Sequence, residues 1–177
     1  MIRIRRLLGV LLSAAMLFST ASCSMITSSS NIVDKLGDEG YEAEQVDDNT
    51  FYVTENGIDY YYDCWFNKPF FRKAVLAMET DMESGHEVEI TICKEKYNRM
   101  SVLCVRPYTK TFANGNVYQG NDTYLFVFKH DFTDENITND RGFHDIHGDY
   151  QFFTNYYLTP EELQEIYNRG IELESIF

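Results

Sequence analysis

Signatures of common catalytic and metal-binding sites are missing from this sequence. Its four cysteines form no CxxC pair, and no Cys/His spacing typical of zinc occurs. There is no G-x-S-x-G nucleophile elbow, and the ten glycines are scattered rather than gathered in a phosphate-binding loop. The sequence therefore predicts no cofactor and favours a protein that is not an enzyme.

Basic residues are also scarce, with 15 lysines and arginines against 28 aspartates and glutamates. Three of the basic residues, Arg3, Arg5 and Arg6, lie before residue 23, where no acidic residue occurs. The remaining chain has 12 basic and 28 acidic residues, a formal charge of −16. Phosphate backbones and anionic lipids repel such a chain, so the charge disfavours a nucleic-acid partner, and membrane association would need an anchor.

A long apolar run occurs once, at residues 7–18, directly after the three arginines. As a helix this run covers about 18 Å, well short of the roughly 30 Å hydrocarbon core of a membrane. A positive start, a short apolar run and small residues after it are typical of a bacterial export signal. The sequence therefore predicts that the mature protein lies outside the cytoplasm.

The residues Thr20, Ala21, Ser22 and Cys23 that close this signal resemble the lipobox of bacterial lipoproteins. The resemblance implies that Cys23 is acylated, becomes the mature N-terminus and holds the protein on the extracytoplasmic face of the cell membrane. Thr20 departs from the pattern, which usually has Leu, Val or Ile at that position. The residues Ser19 to Ala21 also fit the small-x-small rule of ordinary signal peptidase, which would cut after Ala21 and release a secreted protein.

Three segments follow from these boundaries. Residues 1–23 form the signal, residues 24–30 a serine-rich tether of at most roughly 25 Å, and residues 31–177 a single domain. A domain of this size can bury a core of its own. Aromatic residues make up 15% of the chain, which is more than a disordered segment would carry.

The first half of the domain begins with a predicted helix over residues 31–39 and an extended segment over residues 41–46. Next, Asn56-Gly57 separates two β-like runs and predicts a type I′ hairpin, because both turn residues tolerate a positive φ. The turn sets Val53 opposite Tyr60 and Phe51 opposite Tyr62. The core face of the hairpin would then carry Phe51, Val53, Ile58, Tyr60 and Tyr62.

After this hairpin the sequence predicts a helix that begins at Pro69 and ends at Gly85. Its apolar stripe would be formed by Phe71, Ala74, Val75, Met78 and Met82. Residues 73–78 could instead form a strand.

Residues 86–94 and 101–107 predict a second hairpin, with its loop placed symmetrically about Asn98-Arg99. In this register Ile92 faces Val105, and Cys93 lies directly opposite Cys104 on the other face of the hairpin. Export permits disulfides, so Cys93 and Cys104 could be bonded, although the alternative of two adjacent free thiols stays open. Cys64 would be left as a small buried group.

In the C-terminal third the sequence predicts a polar loop over residues 109–122, a central strand over residues 123–132 and an irregular acidic loop over residues 133–149. The last helix is well specified, because Thr159, Pro160 and Glu162 complete a capping box. Gly170 on its buried stripe would allow close approach to the sheet. The expected fold is α+β, with an antiparallel sheet of about six strands, two or three helices packed on it, and a duplicated α-β-β-β unit as a further hypothesis.

Two clusters are candidate sites. His144 and His147, with Asp145 and Asp149 beside them, are weak candidates for a metal site, since imidazoles and carboxylates at short spacing can converge on an ion. A second set of oxygen-bearing side chains lies near position 135, namely Asp131, Asp134, Glu135, Asn139 and Asp140. Their spacing does not match a calcium loop and favours an acidic turn.

A third candidate is an aromatic platform of Tyr52, Tyr61 and Trp65 on the outer face of the first hairpin. The sequence thus favours a lipid-anchored, non-enzymatic binding or interaction module with a protein or glycan partner. The alternatives are a metal-assisted hydrolase that uses the His144/His147 loop and a carbohydrate-binding module that uses the platform.

Overall fold

The architecture is one antiparallel sheet with helices on one of its faces. The computed structural model describes residues 29–65, 68–79, 87–138 and 145–177. Its strands are β1 Glu42–Asp47, β2 Thr50–Glu55, β3 Ile58–Trp65, β4 Lys68–Glu79, β5 Glu87–Lys94, β6 Met100–Thr111 and β7 Val117–Phe128. Its helices are α1 Ser29–Asp38, α2 Ile146–Tyr156 and α3 Pro160–Glu174. The α+β fold is confirmed, with a sheet of seven strands.

The seven strands pair in chain order, each antiparallel to the next. Helix α1 packs on β1 and β2, α3 packs on β4 and β5, and α2 packs on β7. In the described ranges no α-helix lies between the strands, which all follow α1 and precede α2 and α3, so the order of elements is not that of a repeated α-β-β-β unit. The hypothesis of a duplication is therefore wrong.

Helix α1 begins two residues earlier than expected, so Ser29 and Ser30 belong to the helix and not to the predicted tether of residues 24–30. Ser29 is buried, and its Oγ donates a hydrogen bond to the carbonyl oxygen of Asp47 at 2.6 Å. This bond fixes the start of α1 beside the turn between β1 and β2.

The β2–β3 hairpin agrees with the expectation from the sequence. Asn56 and Gly57 have φ angles of 54° and 78°, which the Asn-Gly turn permits. Phe51 pairs with Tyr62 and Val53 pairs with Tyr60, as predicted. These four side chains are buried, so the predicted core face of the hairpin is confirmed.

Strand β4 replaces the helix predicted from Pro69, so that prediction is wrong and the alternative of a strand is confirmed. The pairing of β4 with β3 shifts at one point, where Tyr61 lies opposite Lys73 but Tyr62 lies opposite Phe71. Arg72 is the extra residue of this β-bulge. The bulge puts Phe71 and Ala74 on the same face at a spacing of three, which imitates the spacing of a helix. Residues 80–86, with Met82 and Gly85, lie outside the described parts of the chain.

Strands β5 and β6 pair in a register three residues away from the predicted one. Ile92 faces Val102, Cys93 faces Ser101 and Cys104 faces Ile90. The connection is centred on Tyr97, where a short 3₁₀ turn at Lys96–Asn98 has positive φ angles at Tyr97 and Asn98. An odd shift in register reverses the faces of one strand relative to the other, so Cys93 and Cys104 lie on opposite faces of the sheet.

The predicted polar loop over residues 109–122 is instead a continuation of β6 and β7 as a long hairpin. In its turn the backbone N–H of Phe112 donates a hydrogen bond to the carbonyl oxygen of Asn116, and the N–H of Gly115 donates one to the carbonyl oxygen of Phe112, each at 2.9 Å. Gly115 has a φ of 82°. Of the strand predicted over residues 123–132, only residues 123–128 belong to β7, and residues 129–132 lie beyond its end. The prediction of a central position is wrong, because β7 lies at the edge of the sheet. Polar residues suit the end of this hairpin because both of its faces are exposed to solvent.

Helix α3 has the predicted capping box. The Thr159 hydroxyl accepts a hydrogen bond from the backbone N–H of Glu162 at 3.3 Å, and the Glu162 carboxylate accepts one from the backbone N–H of Thr159 at 2.8 Å. The sequence predicts an irregular loop over residues 133–149. This prediction is wrong at the end of that range, because helix α2 already begins at Ile146. Asp145 caps α2 by accepting a hydrogen bond from the backbone N–H of Gly148 at 3.1 Å.

The core lies between the helices and one face of the sheet. Gly170 of α3 lies against the ring of Phe71, and its carbonyl oxygen accepts a hydrogen bond from the Tyr62 hydroxyl at 3.0 Å. The predicted close approach of Gly170 to the sheet is therefore confirmed. Helix α2 contributes Tyr150 and Phe153, which pack on Phe126.

Candidate functional site

The face of the sheet opposite the helices, called the open face below, is the candidate site. The core residues of the strands all lie on the helix side, and the described helices pack only there. Pairing places one set of side chains together on the open face, namely Tyr52, Tyr61, Lys73, Val75, Thr91, Cys93, Ser101, Leu103, Val105, Leu125 and Val127. Thr91 and Ser101 in the middle of this face are buried by their neighbours, and the side chains around them are partly or largely exposed in the described part of the chain.

The open face has an apolar half formed by strands β4 to β7. Val75 and Leu103 flank Thr91 on the central strands, and Leu125 lies beside Leu103 on β7. The Leu125 side chain is 40% exposed, and the other apolar side chains of this half are partly buried by their neighbours. The sequence contained a signal for this surface, because the strand over residues 123–132 is apolar on both faces. The same pattern predicts a central strand, whereas the structure places β7 at the edge with its second apolar face on the open side.

The other half of the open face carries a row of polar and aromatic side chains that contact each other across the strands. The Tyr52 hydroxyl donates a hydrogen bond to the Glu44 carboxylate at 2.7 Å. The rings of Tyr52 and Tyr61 have centroids 5.2 Å apart, and the Lys73 ammonium lies 4.6 Å from the centroid of the Tyr61 ring. This arrangement fixes the two tyrosines by a hydrogen bond and by a cation–π contact.

Burial and carboxylates change the pKa of these tyrosines. The hydrogen bond to Glu44, with burial as a second cause, raises the pKa of Tyr52 to about 12. Burial, followed by the charge of Asp59, also raises the pKa of Tyr61. Both phenols are therefore neutral hydrogen-bonding groups near neutral pH, and neither is prepared to act as a base.

The predicted aromatic platform is only partly assembled. The rings of Tyr52 and Tyr61 are tilted by 33° from each other and are half-buried, so they do not form the coplanar pair that a flat sugar platform requires. Trp65 is the last residue of β3 and is 69% exposed. The geometry of the tyrosine pair gives no support to the carbohydrate alternative.

The three described cysteines, Cys64, Cys93 and Cys104, are all free thiols. The possible bond between Cys93 and Cys104 is absent and the alternative of two free thiols holds, but the thiols are not adjacent, because the register places Cys93 on the open face and Cys104 in the core. Burial raises the pKa of Cys93 and raises that of Cys104 to about 11. Neither thiol has the lowered pKa that marks a reactive cysteine.

This arrangement predicts how the thiols react. In the folded protein Cys104 should resist alkylation by iodoacetamide, since at about pH 8 only roughly one Cys104 in a thousand would be a thiolate and the side chain is buried. Cys93 and Cys64 should react faster because both are partly exposed. Peptide mass spectrometry after a timed alkylation measures these rates. A peptide linking Cys93 to Cys104 in unreduced protein would contradict the register of β5 and β6.

The predicted metal cluster is only partly covered by the described chain, since His144 lies outside it. His147 lies in the first turn of α2, and its Nδ1 is 2.8 Å from the Asp134 carboxylate. Asp145 is used as the helix cap. Within the described ranges no three His, Cys, Asp or Glu side chains gather in a way that could hold a metal ion.

The acidic residues near position 135 form a turn, as expected. One carboxylate oxygen of Asp131 accepts hydrogen bonds from Thr133 and from the Asn136 side chain. These bonds, that of the Thr133 hydroxyl first, lower the pKa of Asp131. Asp131 therefore stabilises the turn that leads to the 3₁₀ helix Asp134–Asn136. Asn139 and Asp140, the last two members of the calcium candidate set, lie outside the described ranges.

Cys23, the predicted lipidation site, also lies outside the described residues, which begin at Ser29. None of the helices in the described ranges is long and apolar enough to cross a membrane. No known protein family matches the chain, and neither a curated protein nor a solved structure is detectably similar to it. Hypotheses about function therefore depend on the residues themselves.

Proposed function

We propose that this protein is a lipid-anchored, extracytoplasmic, non-enzymatic binding module that binds its partner through the open face. One observation carries the proposal. A sheet of seven strands is covered by helices on one side, while the other side combines apolar side chains such as Leu103 and Leu125 with a row of polar and aromatic ones. A mixed apolar and polar surface of this kind is typical of sites that bind other molecules.

The anchor is inferred from the sequence alone. Acylation of Cys23 would hold the domain at the membrane, and cleavage after Ala21 remains the alternative, which would give a secreted module. In both cases the domain works outside the cytoplasm.

The charges of the open face favour a partner that carries positive charge. Glu44 and Asp59 lie on the polar half, and Glu89 lies at the border of the apolar half next to Val105. The excess of acidic residues in the whole chain adds attraction for a cation at longer range. A basic protein segment with apolar side chains suits both halves of the surface, because its apolar groups can be buried on β4 to β7.

Photocrosslinking in intact cells tests the proposed binding face. A photoreactive phenylalanine analogue at Leu125 on the open face should give a defined adduct with the partner. The matched control places the same analogue at Glu165, an exposed position on α3 on the opposite side of the domain. Adducts from position 125 but not from position 165 are the expected result. Equal adducts from both positions, or adducts from neither, would contradict the proposal.

A further inference from the structure

One end of the sheet lies where the chain from the predicted anchor enters the domain. The connections β1–β2, β3–β4 and β5–β6 are at this end, called the tether end below. The backbone N–H of Ser29 donates a hydrogen bond to the carbonyl oxygen of Asp48 at 3.1 Å, which fixes the first described residue there. Ser29 is the sixth residue after Cys23, so the chain from one to the other spans at most about 20 Å. An anchored domain must therefore keep its tether end near the membrane.

Two exposed aromatic side chains are found at the tether end. Trp65 ends β3 and is 69% exposed, and Tyr97 in the β5–β6 connection is 92% exposed. Tryptophan and tyrosine are the residues enriched at the level of lipid headgroups, because their rings combine an apolar body with a polar group.

The backbone at Tyr97 adds a second observation. Its φ of 62° lies in the left-handed region, which costs a residue other than glycine about 1 kcal/mol. The ring gains almost nothing from the packing of the domain, because nearly all of its surface is exposed. Tyr97 and Asn98 both have positive φ in the turn between β5 and β6, and this turn presents the Tyr97 ring to the outside.

Basic side chains accompany the two rings. Lys68 pairs directly with Trp65 across the β3–β4 connection, and Lys96 and Arg99 flank Tyr97. Long cationic side chains beside interfacial rings can reach the phosphates of lipid headgroups.

The tether end also carries exposed carboxylates such as Asp48, but two of those nearest to Trp65 and Tyr97 are engaged within the domain. The Asp63 carboxylate pairs with Arg72 at 3.3 Å, and the Glu95 carboxylate accepts a hydrogen bond from the Ser101 hydroxyl at 2.8 Å. At the opposite end of the sheet, Glu42 and Glu87 are exposed carboxylates near the β2–β3 turn and the start of β5. Phosphate headgroups would repel that end, which favours one orientation of the domain.

We propose that Trp65 and Tyr97 insert into the headgroup region of the membrane and seat the domain on its tether end. The strands then point away from the bilayer, and the open face stands beside the membrane where a partner can reach it from the side. This inference rests on the proposed anchor, and it adds the orientation of the anchored domain and a second contact with lipid.

Fluorescence of the acylated mature chain, which begins at Cys23, tests the orientation. Trp65 is the single tryptophan, so its emission reports on one position. The protein is reconstituted on phosphatidylcholine vesicles with or without bromine atoms on the acyl chains near the headgroups. Brominated lipid should remove most of the Trp65 emission. The matched control, Trp65→Phe with Tyr118→Trp, moves the reporter to the exposed end of the β6–β7 hairpin, far from the tether end, and its emission should not change.

Flotation of the same vesicles separates the two ways in which the inference can fail. If the protein floats with the vesicles but the emission of Trp65 is unchanged by bromine, the orientation is wrong and the anchor stands. Equal quenching of the reporters at positions 65 and 118 would also contradict the orientation. If the acylated chain does not float, the anchor itself is wrong, and with it the proposed seating on the membrane.

Discussion

The substitution Gly170→Ala should lower the free energy of unfolding by about 2 kcal/mol, although it adds only one methyl group. An added Cβ at this position would lie 2.3 Å from Cε2 and 2.5 Å from Cζ of the Phe71 ring. The ring is buried in the core, so α3 would have to move away from the sheet. That movement would also weaken the hydrogen bond from the Tyr62 hydroxyl to the Gly170 carbonyl oxygen. Urea unfolding followed by circular dichroism measures the loss.

A second glycine provides the matched control for this prediction. Gly37 lies in α1 and has open space around the position of an added Cβ. Alanine is favoured over glycine in helices by up to about 1 kcal/mol, so Gly37→Ala should leave the stability unchanged or raise it slightly. Opposite signs for the two substitutions are the expected result. A stabilising effect of Gly170→Ala would show that α3 does not pack against Phe71 as described.

A double mutant isolates the contact itself. Phe71→Leu removes part of the ring that the new methyl group would strike, at the cost of lost packing in the core. Combined with Gly170→Ala, it should cost less than the sum of the two single substitutions by more than about 0.5 kcal/mol. Additive effects would mean that the two side chains do not meet.

The substitution Cys23→Ser should remove the protein from the membrane fraction almost completely. Each methylene group of a buried acyl chain contributes about 0.8 kcal/mol to membrane binding, and stable anchoring takes two such chains. The domain offers no helix in its described parts that could replace them. Fractionation of cells into membrane and soluble parts, followed by immunoblotting, measures the change.

Cys64→Ser is the control for this experiment, because it also removes one thiol but lies in β3, away from the predicted lipobox. Protein with Cys64→Ser should stay in the membrane fraction. If Cys23→Ser leaves the partitioning unchanged, acylation of Cys23 does not hold the protein, and the secreted alternative or another attachment must be considered.

Features encoded by a few adjacent residues could be predicted from the sequence. The Asn56-Gly57 turn fixed both the ends and the register of the β2–β3 hairpin. Thr159 and Glu162 marked the first turn of α3 because the capping box is a local arrangement of side chain and backbone. The hairpin and the helix start could therefore be predicted without knowledge of tertiary contacts.

Features that depend on distant pairing were missed. The bulge at Arg72 interrupts the alternation of β4, and only the neighbouring strands β3 and β5 reveal that the segment is extended. The β5–β6 register depends on the left-handed backbone of Tyr97, which a tyrosine rarely adopts. Helix α2 carries only a weak helical pattern, and contacts of Tyr150 and Phe153 with β7 stabilise it.

Only part of the candidate site could be predicted from the sequence, because the rest of it also depends on pairing between distant strands. Tyr52 and Tyr61 were assigned correctly to the outer face of their hairpin, because its register was local. The apolar half of the open face is assembled from four strands, so Val75, Leu103 and Leu125 become neighbours only through the order of the sheet. The metal hypothesis on His144 and His147 stays a prediction, since His144 lies outside the described chain.

The mass of the protein purified from its own membranes tests the anchor most directly. If the protein is anchored as proposed, its chain begins at Cys23, lacks residues 1–22 and carries the additional mass of fatty acyl groups on its N-terminal residue. Tandem mass spectrometry of the first peptide would place those groups on Cys23. A chain that retains Met1, or an unmodified chain that begins at Ser22, would contradict the central claim.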